Sequence, residues 1–191
     1  MEKSTQPADA MTWPRLESTP LHSYRVFRTR LDRSSSPTTG KEHDFYILEC
    51  ADWINVIPLT AAGEVVMVRQ FRHGIRETTL EIPGGVIEAG EDPAVAALRE
   101  LREETGYVPE RLVSLGSTYP NPAIQENRCH LFLAERVKRE GPQNLDETEE
   151  ILVETFPLAQ VRAMIAAGEL DHALMLAAFA RFFVREEAAP R

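Results

Sequence analysis

One segment, residues 85–107, limits what this chain can fold into and do more than any other part of the sequence. It begins at Gly85 and continues with helical periodicity, placing Glu100, Glu103 and Glu104 three and four residues apart. Side chains at these spacings share one helix face, so the three carboxylates would repel one another unless a cation neutralised them. The segment therefore predicts either a divalent-metal site with oxygen ligands or a solvated face with local ion pairs.

The spacing of the glycines and charges is similar to that of a known motif. Gly85 is followed by five residues and Glu91, then by seven residues and the sequence Arg-Glu-Leu-Arg-Glu-Glu-Thr-Gly over residues 99–106. This arrangement resembles the Nudix box of the Nudix hydrolase family. Only Tyr107 departs from the usual pattern, because an aliphatic residue is more common there. A match of this length is far more specific than an isolated glycine motif.

The resemblance implies a role for each charged residue of the box. Glu100 and Glu104 would be metal ligands one helical turn apart, and the carbonyl oxygen of Gly84 would be a further ligand. Glu103 would be a ligand or a base beside the metal. Arg99 belongs to the implied catalytic set, where it would orient the glutamates through ion pairs. Outside these five, Glu91 would hold the geometry between the loop and the helix, or act as an ordinary first-turn acid.

Hydrolysis of a phosphoanhydride requires neutralisation of the phosphate charge and activation of a water molecule. Mg²⁺ suits both tasks because it binds one or two carboxylates and keeps several waters and phosphate oxygens. The resemblance implies two or three such ions between the glutamates and the diphosphate, with Mn²⁺ as a possible substitute.

Composition narrows the class of protein. The chain has 191 residues, a length that fits one globular domain with a small addition. Its net charge of -9 argues against non-specific binding of nucleic acid. Cys50 and Cys129 are too few and too far apart for a disulfide framework, so we expect buried, reduced thiols. No leader-like or membrane-spanning segment is visible, and we expect a cytoplasmic protein without a membrane partner.

The coarse pattern of elements is mixed α+β. We expect a flexible tail over residues 1–14, an N-terminal antiparallel β subdomain over residues 15–52 and a Nudix hydrolase domain over residues 53–191. The resemblance supplies the specific fold of the last part, an α/β/α sandwich around a mixed sheet. The expected strands cover residues 23–30, 44–50, 53–59, 64–71, 79–82, 112–119, 128–134 and 151–157, with a charged, flexible loop over residues 135–149.

Three helices are predicted. Asp92 and Pro93 are suited to the start of the first helix, whose buried stripe would comprise Val95, Leu98 and Leu101. The other two helices are expected at residues 158–167, closed by Gly168, and at residues 171–184, capped by Asp171.

Sequence outside the box resembles the branch of the family that hydrolyses ADP-ribose and nucleoside diphosphate sugars. In that branch the arginine of a strand such as Val68–Arg72 and the glutamate before Pro-Gly-Gly contact the substrate, which nominates Arg72 and Glu81, with Gln70 beside them. For Arg72 the alternative is a solvent-facing charge. Pro122, sixteen residues after Gly106, is also typical of this branch.

The surroundings of Pro122 depart from the commoner pattern. Asn121, Gln125 and Asn127 would read sugar hydroxyls or a base edge, or would serve as ordinary turn residues. This departure weakens the case for ADP-ribose relative to another sugar nucleotide, but ADP-ribose stays the first choice of substrate. Related enzymes keep a catalytic glutamate in the acidic loop before the last strand. Glu147 is the first choice for it and Glu149 the second, unless these acids merely form a solvated loop.

The N-terminal strands resemble a subdomain through which related enzymes form homodimers. Trp53, and Phe45 or Tyr46, would then stack on a base, unless each is a core residue. The sequence thus predicts metal-dependent hydrolysis of the diphosphate of ADP-ribose or another nucleoside diphosphate sugar, giving a nucleoside monophosphate and a sugar phosphate. The alternatives are a Nudix hydrolase of nucleoside triphosphates or dinucleoside polyphosphates, and a non-catalytic regulator that senses sugar nucleotides.

Overall fold

A computed structural model describes residues 11–188 of the chain. The strands are β1 (Arg15–Ser23), β2 (Arg28–Ser35), β3 (Glu42–Glu49), β4 (Trp53–Thr60), β5 (Glu64–Arg72), β6 (Glu77–Glu81), β7 (Gly84–Val86), β8 (Tyr107–Val108), β9 (Arg111–Thr118), β10 (Cys129–Arg139) and β11 (Ile151–Pro157). The helices are α1 (Pro93–Thr105), α2 (Leu158–Ala167) and α3 (Ala173–Ala188). Most of the predicted tail, residues 1–10, lies outside the described residues.

The described chain divides into two compact units. Residues 11–50 and Asn121–Asn127 form the first, which contains an antiparallel sheet of order β1-β2-β3. All nine residues of β1 are exposed, so this strand shows no alternation of buried and exposed positions. The predicted strand over residues 23–30 has the wrong bounds, because a turn separates β1 from β2 there: Tyr24 donates its N–H to the carbonyl of Phe27 (2.9 Å). Strands β2 and β3 form an antiparallel hairpin.

The second unit comprises residues 51–120 and 128–188 and contains the larger sheet. Its strand order is β11-β5-β4-β10-β8, with β6 beside β5, β7 beside β4 and β9 beside β10. Strands β4 and β10 are parallel, and the other pairs are antiparallel. The sheet is therefore mixed, as predicted.

Helices cover both faces of this sheet, which explains why β4 is apolar along most of its length. Ile54 and Val56 join a core cluster with Leu101 of α1. Ile57 follows Val56 directly, so its side chain points to the other face of the sheet, where it joins a second core cluster with Phe179 of α3. This layering confirms the predicted α+β class and the α/β/α sandwich.

Three local predictions need correction. The buried side of α1 contains Leu101 with the small Ala96 and Ala97, whereas Val95 and Leu98 are 55% and 41% exposed. Small side chains at the contact let the helix approach the sheet closely, so the apolar residues beside them remain outside.

The other two corrections concern element bounds. The expected loop over residues 135–149 begins later, because β10 continues to Arg139 through a bulge at Arg136, whose φ is 53°. Helix α3 begins at Ala173, and the residue before it, His172, accepts the first hydrogen bonds instead of Asp171.

Candidate active site

Helix α1 is fixed at both ends by the residues that the sequence indicates. The Asp92 side chain accepts a hydrogen bond from Ala94 N–H (2.8 Å), and Pro93 occupies the first turn. The helix ends at Gly106, which has φ 75° and donates its N–H to the Arg102 carbonyl. A side chain at Gly106 would collide with the carbonyl of Gly141, so both the left-handed backbone and the close approach require glycine.

The two glycines before the helix, Gly84 and Gly85, lie in the short strand β7. Gly84 pairs with Asn55, and Gly85 pairs with Ile54, both antiparallel. A Cβ atom at Gly84 would lie 2.6 Å from the Ile54 carbonyl oxygen, and one at Gly85 would lie 2.6 Å from Oε2 of Glu100. The two glycines therefore bring backbone next to the carboxylates of α1.

Arg99 links four groups of the box. Its Nε and Nη2 atoms each donate to Glu91 at 2.9 Å, and Nη1 donates to Glu100 at 2.8 Å and Glu103 at 3.2 Å. Nη2 also contacts the Val86 carbonyl at 3.2 Å. These ion pairs agree with the orienting role inferred for Arg99 and with the loop-holding role inferred for Glu91. The hydrogen bonds from Arg99 lower the pKa of Glu91 to about 2.

Glu104 is the most perturbed carboxyl group of the box. Its side chain is buried and accepts a hydrogen bond from Gly84 N–H at 3.1 Å. Burial, together with the charges of Glu100 and Glu149, raises its pKa to about 8. The pKa of Glu100 is also raised, chiefly by burial, although Arg99 opposes the shift. Both carboxylates thus lie where a cation would be favoured in place of a proton.

The loop between β10 and β11 is anchored to the C-terminal end of α1. Gln143 donates its side-chain amide to the carbonyls of Glu104 (2.6 Å) and Ile151 (3.1 Å). The N–H of Asn144 donates to the Glu103 carbonyl at 2.8 Å. This attachment holds the start of the loop against the helix that carries the box glutamates.

Glu149 is the loop acid whose charge acts on the box. It raises the pKa of both Glu100 and Glu104, and its Oε2 accepts a hydrogen bond from Asp146 N–H at 3.1 Å. Glu147, the first choice from sequence, instead lines a separate cavity of about 440 Å³ together with Gln70.

Arg72 and Glu81 form a bidentate pair beside the box. Arg72 donates from Nε and Nη2 to the two oxygens of Glu81 at 2.8 and 2.7 Å, and Thr79 donates to the same carboxylate at 2.5 Å. Glu81 is 1% exposed, and these donors lower its pKa against the opposing effect of burial. Glu81 therefore holds Arg72, whose side chain is 42% exposed, so the guanidinium is the member of the pair more accessible to a ligand.

A cavity of about 320 Å³, called here the central cavity, joins these groups. Its lining comprises Trp53, Asn55, Arg72, Glu81, Gly84, Gly85, Val86, His172 and Leu174. The sequence nominated Trp53, Arg72, Glu81 and Gly84 among these residues, and the structure brings them together. Asn121 and Pro122 belong to the first compact unit, whereas the residues that line this cavity belong to the second.

The residues suit a divalent cation, although no preformed cage exists. Among residues 11–188, no three carboxylate, imidazole or thiol side chains converge as a ready metal site. Glu100 and Glu104 nevertheless supply hard oxygen donors with raised pKa values, and the space beside them depends on Gly85 having no Cβ. Oxygen donors of this kind favour Mg²⁺, Mn²⁺ or Ca²⁺ over softer metals.

Comparisons with known proteins agree with this geometry. A family model for the NUDIX domain matches residues 51–179. The chain belongs to the Nudix family. This confirms the family predicted from the box, and the matched Nudix region contains α1, the central cavity and the loop that carries Glu149.

Two curated relatives are similar over most of their length. The ADP-ribose pyrophosphatase of Bacillus subtilis (strain 168) is 35% identical over 132 residues, which is 69% of this chain and 71% of that protein. The methanol dehydrogenase activator of Bacillus methanolicus is 37% identical over 130 residues, 68% of this chain and 70% of that protein. A solved structure described as an ADP compounds hydrolase has a TM-score of 0.78 at 22% identity, covering 97% of this chain and 96% of its own, and shares the fold.

Three residues that line the central cavity or anchor the loop before β11 were not predicted from the sequence: Asn55, Gln143 and His172. Asn55 had a usable signal, because it is a lone polar residue in an apolar strand; its side chain lies within 3.5 Å of the Pro83 carbonyl. Gln143 had no such signal, because its partner Glu104 is distant in sequence. His172 had none either, because its hydrogen bond to Met175 depends on where α3 begins. Both cysteines are free thiols, with Cys129 buried and Cys50 only half-buried.

Proposed function

We propose that this protein is a divalent-metal-dependent pyrophosphatase that cleaves the diphosphate linkage of ADP-ribose or another nucleoside diphosphate sugar. The observation that carries the proposal is the central cavity, where the Arg72 guanidinium lines the same space as Gly84 and Gly85, the glycines that adjoin Glu104 and Glu100 of the Nudix box. A diphosphate needs both kinds of group, a cation for its shared negative charge and a fixed donor for orientation. The Bacillus subtilis relative is named for this reaction.

The glutamates of the Nudix box are the proposed metal ligands. Glu100 and Glu104, with the carbonyl of Gly84 and with Glu103, would hold Mg²⁺, or Mn²⁺ in its place. Bound there, the metal would neutralise phosphate charge and lower the pKa of a coordinated water. Arg99 keeps Glu100 and Glu103 in place through its hydrogen bonds.

The chain's own groups also position the substrate and the water. Arg72, aligned by Glu81, donates to the diphosphate, and Trp53 provides an aromatic wall of the cavity. We assign the water-activating role to Glu149 in preference to Glu147, because the charge of Glu149 acts on Glu100 and Glu104. Gln70 and Glu147 line the neighbouring cavity, which Arg72 also lines, and would contact another part of the substrate.

The test is a substrate panel with Mg²⁺. Purified protein is incubated with ADP-ribose, other ADP- and UDP-sugars, dinucleoside polyphosphates and nucleoside triphosphates. Phosphatase then releases phosphate from monoester products, and pyrophosphatase reports on the triphosphates. We expect nucleoside monophosphate and sugar phosphate from at least one sugar nucleotide. Equal turnover of triphosphates would overturn the substrate class, and no turnover of any compound would overturn the enzymatic function.

We also propose that the first unit mediates a homodimer. Within residues 11–50 the buried positions are polar (Asp32, Ser34 and Ser36), while Leu16, Phe45 and Tyr46 are among the exposed apolar residues. A sheet with such an exposed apolar surface is suited to association with another chain. Sedimentation equilibrium should give twice the monomer mass, and a monomer at all concentrations would contradict the proposal. The N-terminal unit and the Nudix unit would then correspond to the predicted residues 15–52 and 53–191.

Location in the cell is a separate question. No helix within residues 11–188 is long and apolar enough to cross a membrane. A cytoplasmic site, without nucleic acid as a partner, stays a prediction from the sequence.

A further inference from the structure

His172 lines the central cavity but lies outside the Nudix box and outside the strands before it, so no role has been given to it so far. It immediately precedes α3, and its side chain lines the cavity together with Arg72, Gly84 and Gly85. The side chain is 32% exposed, so it is neither a fully packed core residue nor a surface residue free in solvent. Its two ring nitrogens face different partners, and this difference determines what the imidazole can do.

The Nδ1 atom acts on the protein itself. It accepts a hydrogen bond from Met175 N–H at 3.5 Å, in the first turn of α3. A ring nitrogen that accepts a hydrogen bond carries a lone pair, so the proton of the neutral imidazole lies on the other nitrogen, Nε2. The helix start therefore selects the tautomer and fixes the direction of the remaining N–H group.

The Nε2 atom lies near Glu81, 3.8 Å from its Oε2. This separation exceeds hydrogen-bond distance. The carboxylate is already engaged by two donors of Arg72 and by Thr79. Among residues 11–188, no acceptor lies within hydrogen-bond distance of Nε2, although the group borders a cavity. An N–H group held in this way is suited to an acceptor on a ligand.

Arg72 indicates which ligand atoms these are. Its Nε and Nη2 atoms are held by Glu81, and within the described chain Nη1 has no protein acceptor. The Glu81 carboxylate thus has the Arg72 guanidinium bonded to it and the His172 imidazole beside it, and both residues line the same cavity. Nη1 of Arg72 and Nε2–H of His172 belong to side chains that line the same cavity, and such a pair of donors is suited to the closely spaced oxygens of a diphosphate.

We propose that His172 is a substrate-binding residue whose Nε2–H donates a hydrogen bond to a diphosphate oxygen, beside Nη1 of Arg72. The inference rests on the proposed function, because it takes the diphosphate as the ligand of the central cavity. This proposal adds a contact from the residue just before α3, whereas the other proposed phosphate-binding and metal-binding groups come from the sheet and α1.

Two substitutions separate this contact from the capping role of His172. His172→Asn keeps an acceptor where Nδ1 lies but is too short to replace Nε2. His172→Gln places an amide N–H near the position of Nε2 but loses the acceptor that caps α3. His22→Ala is the control, since His22 is an exposed histidine that lines neither the central cavity nor the neighbouring one.

The main measurement is binding of inorganic pyrophosphate to the Mg²⁺-loaded protein by titration calorimetry, with the thermal midpoint recorded for each variant. We expect His172→Asn to weaken binding about tenfold, the effect of one hydrogen bond to a charged group, with an unchanged midpoint. We expect His172→Gln to bind within about twofold of the parent and to melt about 2–4 °C lower through the lost cap. With ADP-ribose, His172→Asn should raise KM more than it lowers kcat.

The proposal is overturned if His172→Asn binds pyrophosphate as the parent does, or if the Asn and Gln variants weaken binding equally. If His22→Ala weakens pyrophosphate binding as much as His172→Asn does, the effect is not specific to the central cavity, and the assignment is contradicted. Pyrophosphate binding is measured without turnover. Failure of the parent protein to hydrolyse any sugar nucleotide, combined with the expected binding pattern, would therefore refute the proposed function and leave the diphosphate contact of His172 supported.

Discussion

The buried carboxyl group of Glu104 leads to a quantitative prediction for the metal-free protein. Its pKa is raised to about 8 in the folded chain. In the unfolded chain an ordinary glutamate has a pKa of about 4.3. Between these values the folded state binds a proton that the unfolded state has lost. The free energy of unfolding must therefore fall as the pH rises through this window.

Glu104→Gln removes this dependence, because the amide is neutral at every pH and can still accept the hydrogen bond from Gly84 N–H. The stability difference between the variant and the parent should grow by about 1.4 kcal/mol per pH unit between pH 4.3 and pH 8. The full interval corresponds to about 5 kcal/mol, reached when the folded pKa of about 8 has been passed. The variant should match the parent near pH 4 and be more stable at pH 8.

Urea unfolding at several pH values, in the presence of a chelator, measures this difference. Glu169→Gln is the control for loss of one negative charge, since Glu169 is exposed and lines neither cavity of the site. Its stability should follow that of the parent at each pH. Parallel curves for Glu104→Gln and the parent would refute the reasoning, as would a variant that is less stable at pH 8.

Added Mg²⁺ extends the same experiment. The cation competes with the proton for Glu104, so it should stabilise the parent most at high pH and should stabilise Glu104→Gln far less. Hydrolysis of the best substrate should fall by about 2 orders of magnitude or more in this variant, because a metal ligand has lost its charge. Near-normal turnover would contradict the assignment of Glu104 as a ligand.

Three further substitutions test other contacts. Gly106→Ala should lower the free energy of unfolding by about 2 kcal/mol or more in urea titrations, whereas Gly168→Ala, with φ 74° and open space around it, should cost only about 1 kcal/mol. Equal losses would deny the close contact at Gly106. Arg72→Lys should reduce kcat/KM by about tenfold or more, because an ammonium cannot keep the bidentate pair, and Arg69→Lys, which alters a pair with about a third of each side chain exposed, should not. Gln143→Ala should lower kcat and speed proteolysis of the loop before β11, since two carbonyls lose their donor; unchanged kcat and cleavage would exclude an anchoring role.

The sequence predicts the box well because its geometry is local. Glu100 and Glu104 are one helical turn apart, so once Asp92 and Pro93 start a helix their neighbourhood follows from the chain itself. Arg99 likewise reaches Glu103 across a single turn. Strands of the Nudix unit are also predictable, because burial on both faces makes them apolar.

Other features depend on contacts that no local pattern encodes. The contact of the loop with α1 depends on Gln143, which donates to the backbone of Glu104 far away in sequence. Strand β1 is exposed throughout and contains Pro20, so it lacks the alternation by which a strand is recognised. Val95 and Leu98 fit a helical stripe but are exposed, because the closer packing of the alanines decides which side of α1 faces the sheet.

The attachment of the loop at the end of α1 affects how the site responds to motion and to mutation. The last turn of α1 carries Glu103 and Glu104, two of the proposed metal ligands, and through their backbone carbonyls it also holds the segment that leads to Glu149. A displacement of that helix end would move both sets of acids together, so their separation would change less than the position of either relative to the sheet. Because Glu149 lies beyond these anchors, we expect a change in loop length between Asn144 and Glu149 to move this acid relative to the box, whereas the anchored start of the loop would stay in place.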